Sequence, residues 1–240
     1  MHSATQPKPS GEKAKIALPG ALRRAGVAPS DGSTVNVAKA RDVLDLMRVD
    51  KEHRLTSHAV LKTAIQGDAG AHHTKDDIHG WMDDFLSFLP PEKGKQLDPF
   101  TLKLEKLAAD GDPRKQGLWQ PDENTLTLFM EAVEMHSPGV AKRTLFHEMT
   151  HWLEELSGKA ADDWRASVQE HYSERTAGLD DEDGYIEDGF PEKYAGKLGG
   201  GELSATMLEY LADEFDFLYA ARKNSRLFFE TLSIITRILT

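Results

Sequence analysis

Residues 137–158 read SPGVAKRTLFHEMTHWLEELSG, and the fold and the chemistry of the chain are read outward from them. Ser137 and Pro138 supply an N-cap and a first-turn proline, and Gly158 supplies a stop, so the spacing predicts one helix running through Leu156. Leu145, Met149, Trp152, Leu153 and Leu156 form an apolar stripe along it, the signature of a helix facing a core. His147 and His151 are four residues apart and project from one face, close enough for one ion to bridge both imidazoles. Glu148 lies about 100° round the helix from His147, within reach of a water on that ion without being a ligand to it.

His147-Glu148-Met149-Thr150-His151 is the HExxH arrangement of zinc hydrolases, in which the metal acidifies a water and the glutamate removes its proton. Such a zinc needs three protein ligands and an open position. A metzincin continuation needs Gly and His three and six residues after the second histidine. Glu154 and Ser157 stand there, which excludes it. A gluzincin continuation takes a glutamate from a later helix, and GELSATMLEYLADEF offers Glu202, Glu209, Asp213 and Glu214. Glu202 is favoured, because it opens a helix after Gly199-Gly200-Gly201, where one backbone can approach another closely. Glu209 is on the same face and suits a partner for the distal N–H of a histidine.

The rest of the chain is organised around this helix. Residues 117–129, GLWQPDENTLTLF, form a hairpin closed by Pro121-Asp122-Glu123-Asn124. Residues 1–35 are a Pro/Gly/Ser/Lys-rich tail or tether. Residues 36–110 read as a helical N-terminal region: NVAKARDVLDLMRV, HAVLKTAIQ, a helix capped by Thr74 and Asp77 and stopped at Pro90-Pro91, and LKLEKLAA. Residues 111–240 read as the metal-binding domain. In it a helix over Asp162–Arg175 and a Gly-rich acidic loop over 177–201 precede two helices, 202–221 and 225–239. The fold class is therefore α+β and mostly helical, with a small antiparallel hairpin or sheet and a C-terminal helical layer.

Composition narrows the partners. The 240 residues contain no cysteine, so disulfides, thiol nucleophiles and thiolate metal sites are excluded. Against 29 Lys and Arg stand 40 Asp and Glu, a net charge of -11 that disfavours nucleic acid and anionic membranes. No apolar run is long enough for a membrane span. The opening MHSATQPKPSGEK has no apolar core, so no signal peptide is expected. Residence in the cytoplasm of the producing cell is expected, and a specialised secretion route remains compatible with it. Tyr194 and Tyr185 compete as oxyanion stabilisers, although hairpin packing is the favoured role for Tyr194. His171 is read as a solvated helix position, His72-His73 with Asp76-Asp77 as a surface cluster, and Leu179–Gly184 as a solvated acidic loop rather than a calcium site.

The order His147–Trp152, then Gly201-Glu202-Leu203-Ser204 some fifty residues on, an acidic helix and a closing Leu/Ile-rich helix resembles a zincin-like domain. That domain is found in phage and prophage structural proteins and in some bacterial polymorphic toxins and effectors. The resemblance covers about residues 115–240, and Gly201 stands where the family pattern has Thr, with one hydrophobic residue fewer after the glutamate. It implies His147, His151 and Glu202 as ligands of one Zn2+ per chain, Glu148 as the base, and a peptide or protein substrate. Two other readings accompany it: a non-catalytic, zinc-stabilised structural module of a phage particle, and a delivered toxin or effector protease. The first 110 residues lie outside the resemblance and are free to engage a partner protein.

Overall fold

A computed structural model of the chain describes residues 63–87, 97–135, 139–159, 161–163, 165–166, 169–170 and 200–213. Its elements are β1 (Ala64–Gly67), α1 (Lys75–Leu86), β2 (Thr101–Glu105), β3 (Gly117–Gln120), β4 (Thr125–Phe129), α2 (Met130–Glu134), α3 (Val140–Ser157) and α4 (Gly200–Glu209). The class is α+β, with a four-stranded sheet in the order β1-β2-β4-β3. The expected antiparallel hairpin is present as β3 and β4, paired Gly117 to Leu128 and Gln120 to Thr125. Its turn is a 3-10 turn over Pro121–Glu123 that ends on Asn124 at φ 45. Asparagine tolerates that left-handed conformation, and its side chain donates to Pro99 O at 3.1 Å.

HAVLKTAIQ and LKLEKLAA were read as helices, yet Ala64–Gly67 and Thr101–Glu105 are strands. In TLKLE the buried residues are Leu102 and Leu104, two apart, which is the period of a strand. Pairing on both sides outweighs the helix propensity of Leu, Lys and Glu: β2 lies parallel to β1 and to β4, with Leu102 beside Ile65 and Leu126. The sheet is accordingly mixed rather than purely antiparallel. Parallel neighbours need a crossover, and α1 lies in the one between β1 and β2. Gly67 ends β1 at φ +93, where a Cβ would lie 2.1 Å from the Leu104 carbonyl oxygen, so only glycine fits.

α1 begins where the sequence places it. Thr74 and Asp77 form a reciprocal capping box, and Ile78, Met82, Phe85 and Leu86 are its buried face. Phe85 meets Phe146 of α3 edge-to-face at 5.3 Å, and Lys142 reaches Asp84 at 2.7 Å. α3 is the centre of the packing, with α1, α2, α4, β3 and β4 all against it. Leu145, Phe146, Met149, Trp152 and Leu153 are almost wholly buried, whereas Leu156 is 45% exposed and falls off the expected stripe. Gly158 caps the helix at φ 53, donating its N–H to Glu155 O. At the other end the cap is Gly139, with no side-chain bond, and Ser137 and Pro138 lie outside the described residues.

Further along, α4 starts at Gly200, two residues before the expected start, and gives way to a turn after Glu209 instead of running to 221. Residues 161–163, 165–166 and 169–170 are helical, within or next to the expected 162–175 helix. The tail, the helix over residues 36–49, Pro90-Pro91, the loop over 177–199 and the helix over 225–239 lie outside the described residues. Among the described residues no helix is long and apolar enough to cross a membrane.

Candidate metal centre

Helical spacing and close packing of α3 against α4 build the site. His147 and His151, one turn apart on α3, bring their Nε2 atoms to 3.1 Å. α4 crosses with Ser204, Ala205 and Leu208 buried, and small residues there let the two helices approach closely. That approach carries Glu202, in the first turn of α4, to the histidines. Its Oε2 is 3.2 Å from His147 Nε2, and its Oε1 is 3.5 Å from His151 Nε2. His147, His151 and Glu202 thus form a group able to hold a metal ion, with one donor atom from each inside a 4.8 Å span.

The far side of each ring is held by a carboxylate. Glu209 Oε1 is 2.5 Å from His147 Nδ1, and Glu154 Oε2 is 3.6 Å from His151 Nδ1. Where both rings carry their proton on Nδ1, toward these carboxylates, both Nε2 lone pairs point into one small space. Two lone pairs at that separation repel unless a proton or a metal cation lies between them. Glu209 takes the position that the sequence suggested for it. Glu154 was noted in the sequence only for excluding a metzincin, yet it is 1% exposed and faces the centre. The signal was present in the spacing, since a residue three after His151 shares its face.

Charge is concentrated accordingly. Burial pushes the His147 imidazole down, but the Glu202 and Glu209 carboxylates outweigh it and hold its pKa well above the ordinary range. Burial likewise opposes charge on His151, and Glu154 and Glu202 override it to bring that ring up to about 9. The two imidazoles hold the Glu202 carboxyl well below the usual range. Glu148 goes the other way: burial raises its pKa, offset in part by the two histidines and by a backbone hydrogen bond from Trp119. The cluster favours positive charge at its centre.

Glu148 is 7% exposed and lies against β3. A Cβ on Gly117 would come within 2.8 Å of Glu148 Cγ and Oε1 and 2.7 Å of Thr144 Cγ2. The absent side chain is what admits the glutamate. Phe129 N–H donates to Gln116 O at 2.9 Å, so by antiparallel alternation Leu118 and Gln120 bond to β4 while Gly117 and Trp119 turn their backbone groups outward. Among the described residues β3 is an edge strand. A cavity of about 700 Å3 opens beside it, lined by Gly117, Leu118 and Trp119, by Glu148 and the three candidate ligands, and by Arg114 and Thr206.

His72 and His73 join no metal-binding group among the described residues. Asp77 is occupied in the α1 cap, and His73 packs edge-on to Trp81 at 5.0 Å. Tyr185, Tyr194, His171 and the acidic run 179–184 lie outside the described residues. No protein-family model, no curated protein and no solved structure matches this chain, so the reading of the site rests on its own residues.

Proposed function

We propose that the chain is a zinc-dependent peptidase of gluzincin-like build on a zincin-like domain, with His147, His151 and Glu202 as the zinc ligands and Glu148 as the base. The observation that carries this reading is the convergence of two imidazole Nε2 atoms and one carboxylate beside a buried glutamate and a strand that lies at the sheet edge among the described residues. The 3.1 Å between the two Nε2 atoms is close to the roughly 3.3–3.4 Å edge of a tetrahedral set at zinc–ligand distances of about 2.0–2.1 Å, and the two Glu202 oxygens lie 3.2 and 3.5 Å from one ring each. Zinc held there supplies Lewis acidity toward a carbonyl and toward a water molecule.

The chain's own residues do the remaining work. The outward backbone of Gly117 and the Trp119 carbonyl, whose N–H is taken by Glu148, pair with an extended peptide and set its carbonyl beside Glu148. Glu148 takes a proton from water as the water oxygen bonds to the carbonyl carbon. It then gives that proton to the departing amine as the C–N bond breaks. Glu209 and Glu154 hold the two histidines in the tautomer that presents Nε2. The test is Glu148→Gln: zinc stays at about one per chain while cleavage of a peptide library falls by roughly 10²–10⁴. A variant that cleaves as fast as the parent would leave a zinc-stabilised structural module as the better reading.

A further inference from the structure

Glu154 is placed to do more than face His151. Its Oε1 accepts from Ser204 Oγ at 2.5 Å, and its Oε2 accepts from Arg165 Nη1 at 3.2 Å and faces His151 Nδ1 at 3.6 Å. Arg165 also donates to Asp162 at 2.5 Å, which fixes its guanidinium. A carboxylate 1% exposed is costly to bury without such partners, so its position is determined from several directions at once. Ser204 is two residues from Glu202 on the same helix and is itself wholly buried.

We infer that Glu154 is a positioning residue that ties the second histidine and the third carboxylate together, holding the His151 ring through Nδ1 and the helix bearing Glu202 through Ser204. The inference rests on the metal-centre reading. It gives Ser204 a role in metal affinity, although Ser204 lies two residues along the chain from Glu202 and bonds to Glu154 rather than to a candidate ligand. An ordinary helix-to-helix pin would affect stability alone.

The experiment uses the full chain, stripped with a chelator and titrated with zinc against a fluorescent competitor, with the visible spectrum of the cobalt(II) form as a second readout. Glu154→Gln, which keeps the shape, is expected to weaken zinc binding about 10–100-fold. Ser204→Ala is expected at the lower end of that range. The double variant is expected to bind no more weakly than Glu154→Gln alone, because Ser204 acts through Glu154. Leu153→Ala, a buried neighbour on α3, should lower the melting temperature without moving the affinity or the cobalt spectrum. If Glu154→Gln does not fold, Ser204→Ala against Leu153→Ala decides. Zinc affinity unchanged in both Glu154→Gln and Ser204→Ala, or fully additive losses in the double variant, overturns the inference and leaves the peptidase reading standing. A parent that binds zinc but cleaves no peptide overturns the peptidase reading and leaves the affinity comparison intact. A parent that binds no zinc overturns both.

Discussion

Gly117→Ala is the most exacting perturbation of the site, because it adds one methyl group and touches no ligand. The new Cβ would stand 2.7 Å from Thr144 Cγ2 and 2.8 Å from Glu148 Cγ and Oε1, short of the 3.4 Å onset of ordinary contact. The glutamate must therefore retreat by about 0.6 Å, away from β3 and toward the cavity it lines. Misplacing a reacting group by about 1 Å costs on the order of 10²-fold in rate. Peptide turnover is expected to fall by roughly 10–30-fold, mainly in kcat, while zinc content stays at about one per chain. Overpacking should lower stability by about 1–3 kcal/mol, measurable by denaturant titration. Adding Thr144→Ser removes the Cγ2 clash and keeps a hydroxyl for Gln116, so stability should recover in part while turnover stays low, the contact with Glu148 being unchanged. Parental turnover in Gly117→Ala would refute the argument that this strand positions Glu148.

His147→Ala and His151→Ala should each reduce zinc from about one per chain to near zero by elemental analysis, since two ligands hold a catalytic zinc poorly. Glu202→Gln should weaken binding more than Glu209→Gln, whose cost should lie within about 10–100-fold; the reverse order in a competition titration would exchange their roles. In chelator-stripped protein the raised pKa of His151 contributes stability in full below pH 6.5, and that contribution is lost as pH rises through about 9. Zinc affinity should climb over the same window, because metal and proton compete for the ring, and proton release on titration would measure it. Phe85→Ala removes a 3% exposed ring from its edge-to-face contact with Phe146 and should cost about 3–5 kcal/mol by denaturant titration.

Legibility in the sequence followed the range of the forces involved. The Thr74–Asp77 cap, the stop at Gly158 and the β3–β4 hairpin are local, and the residues that make them are adjacent in the chain. β2 was misread because Leu, Lys and Glu favour helix and its partners are remote: Thr101 pairs with Thr125, and Leu102 with Ile65. A parallel pairing leaves little local trace beyond the alternation of Leu102 and Leu104. The HExxH spacing singles out His147 and His151, and the glycines before Glu202 hint at a close helix approach. Glu154 stands in the sequence only as the residue that excludes a metzincin, because its partners Ser204 and Arg165 are 50 and 11 residues away. Nothing in GLWQ marks Gly117 as a steric requirement, since its neighbour Glu148 is 31 residues away.

The ligand set spans two helices whose contact closes a stretch of some fifty residues, as the Glu154–Ser204 pair shows. A chain without cysteine has no covalent staple for such a loop. An ion shared by His147, His151 and Glu202 would act as one, and for a loop of that length the chain-entropy estimate of a staple's worth is about 4 kcal/mol. Unlike a disulfide, such a staple would open and close with the free metal concentration, adding roughly 2.7 kcal/mol with the ion at a hundred times its dissociation constant. The hold of α3 on α4 would then track the metal supply of the compartment in which the chain finds itself.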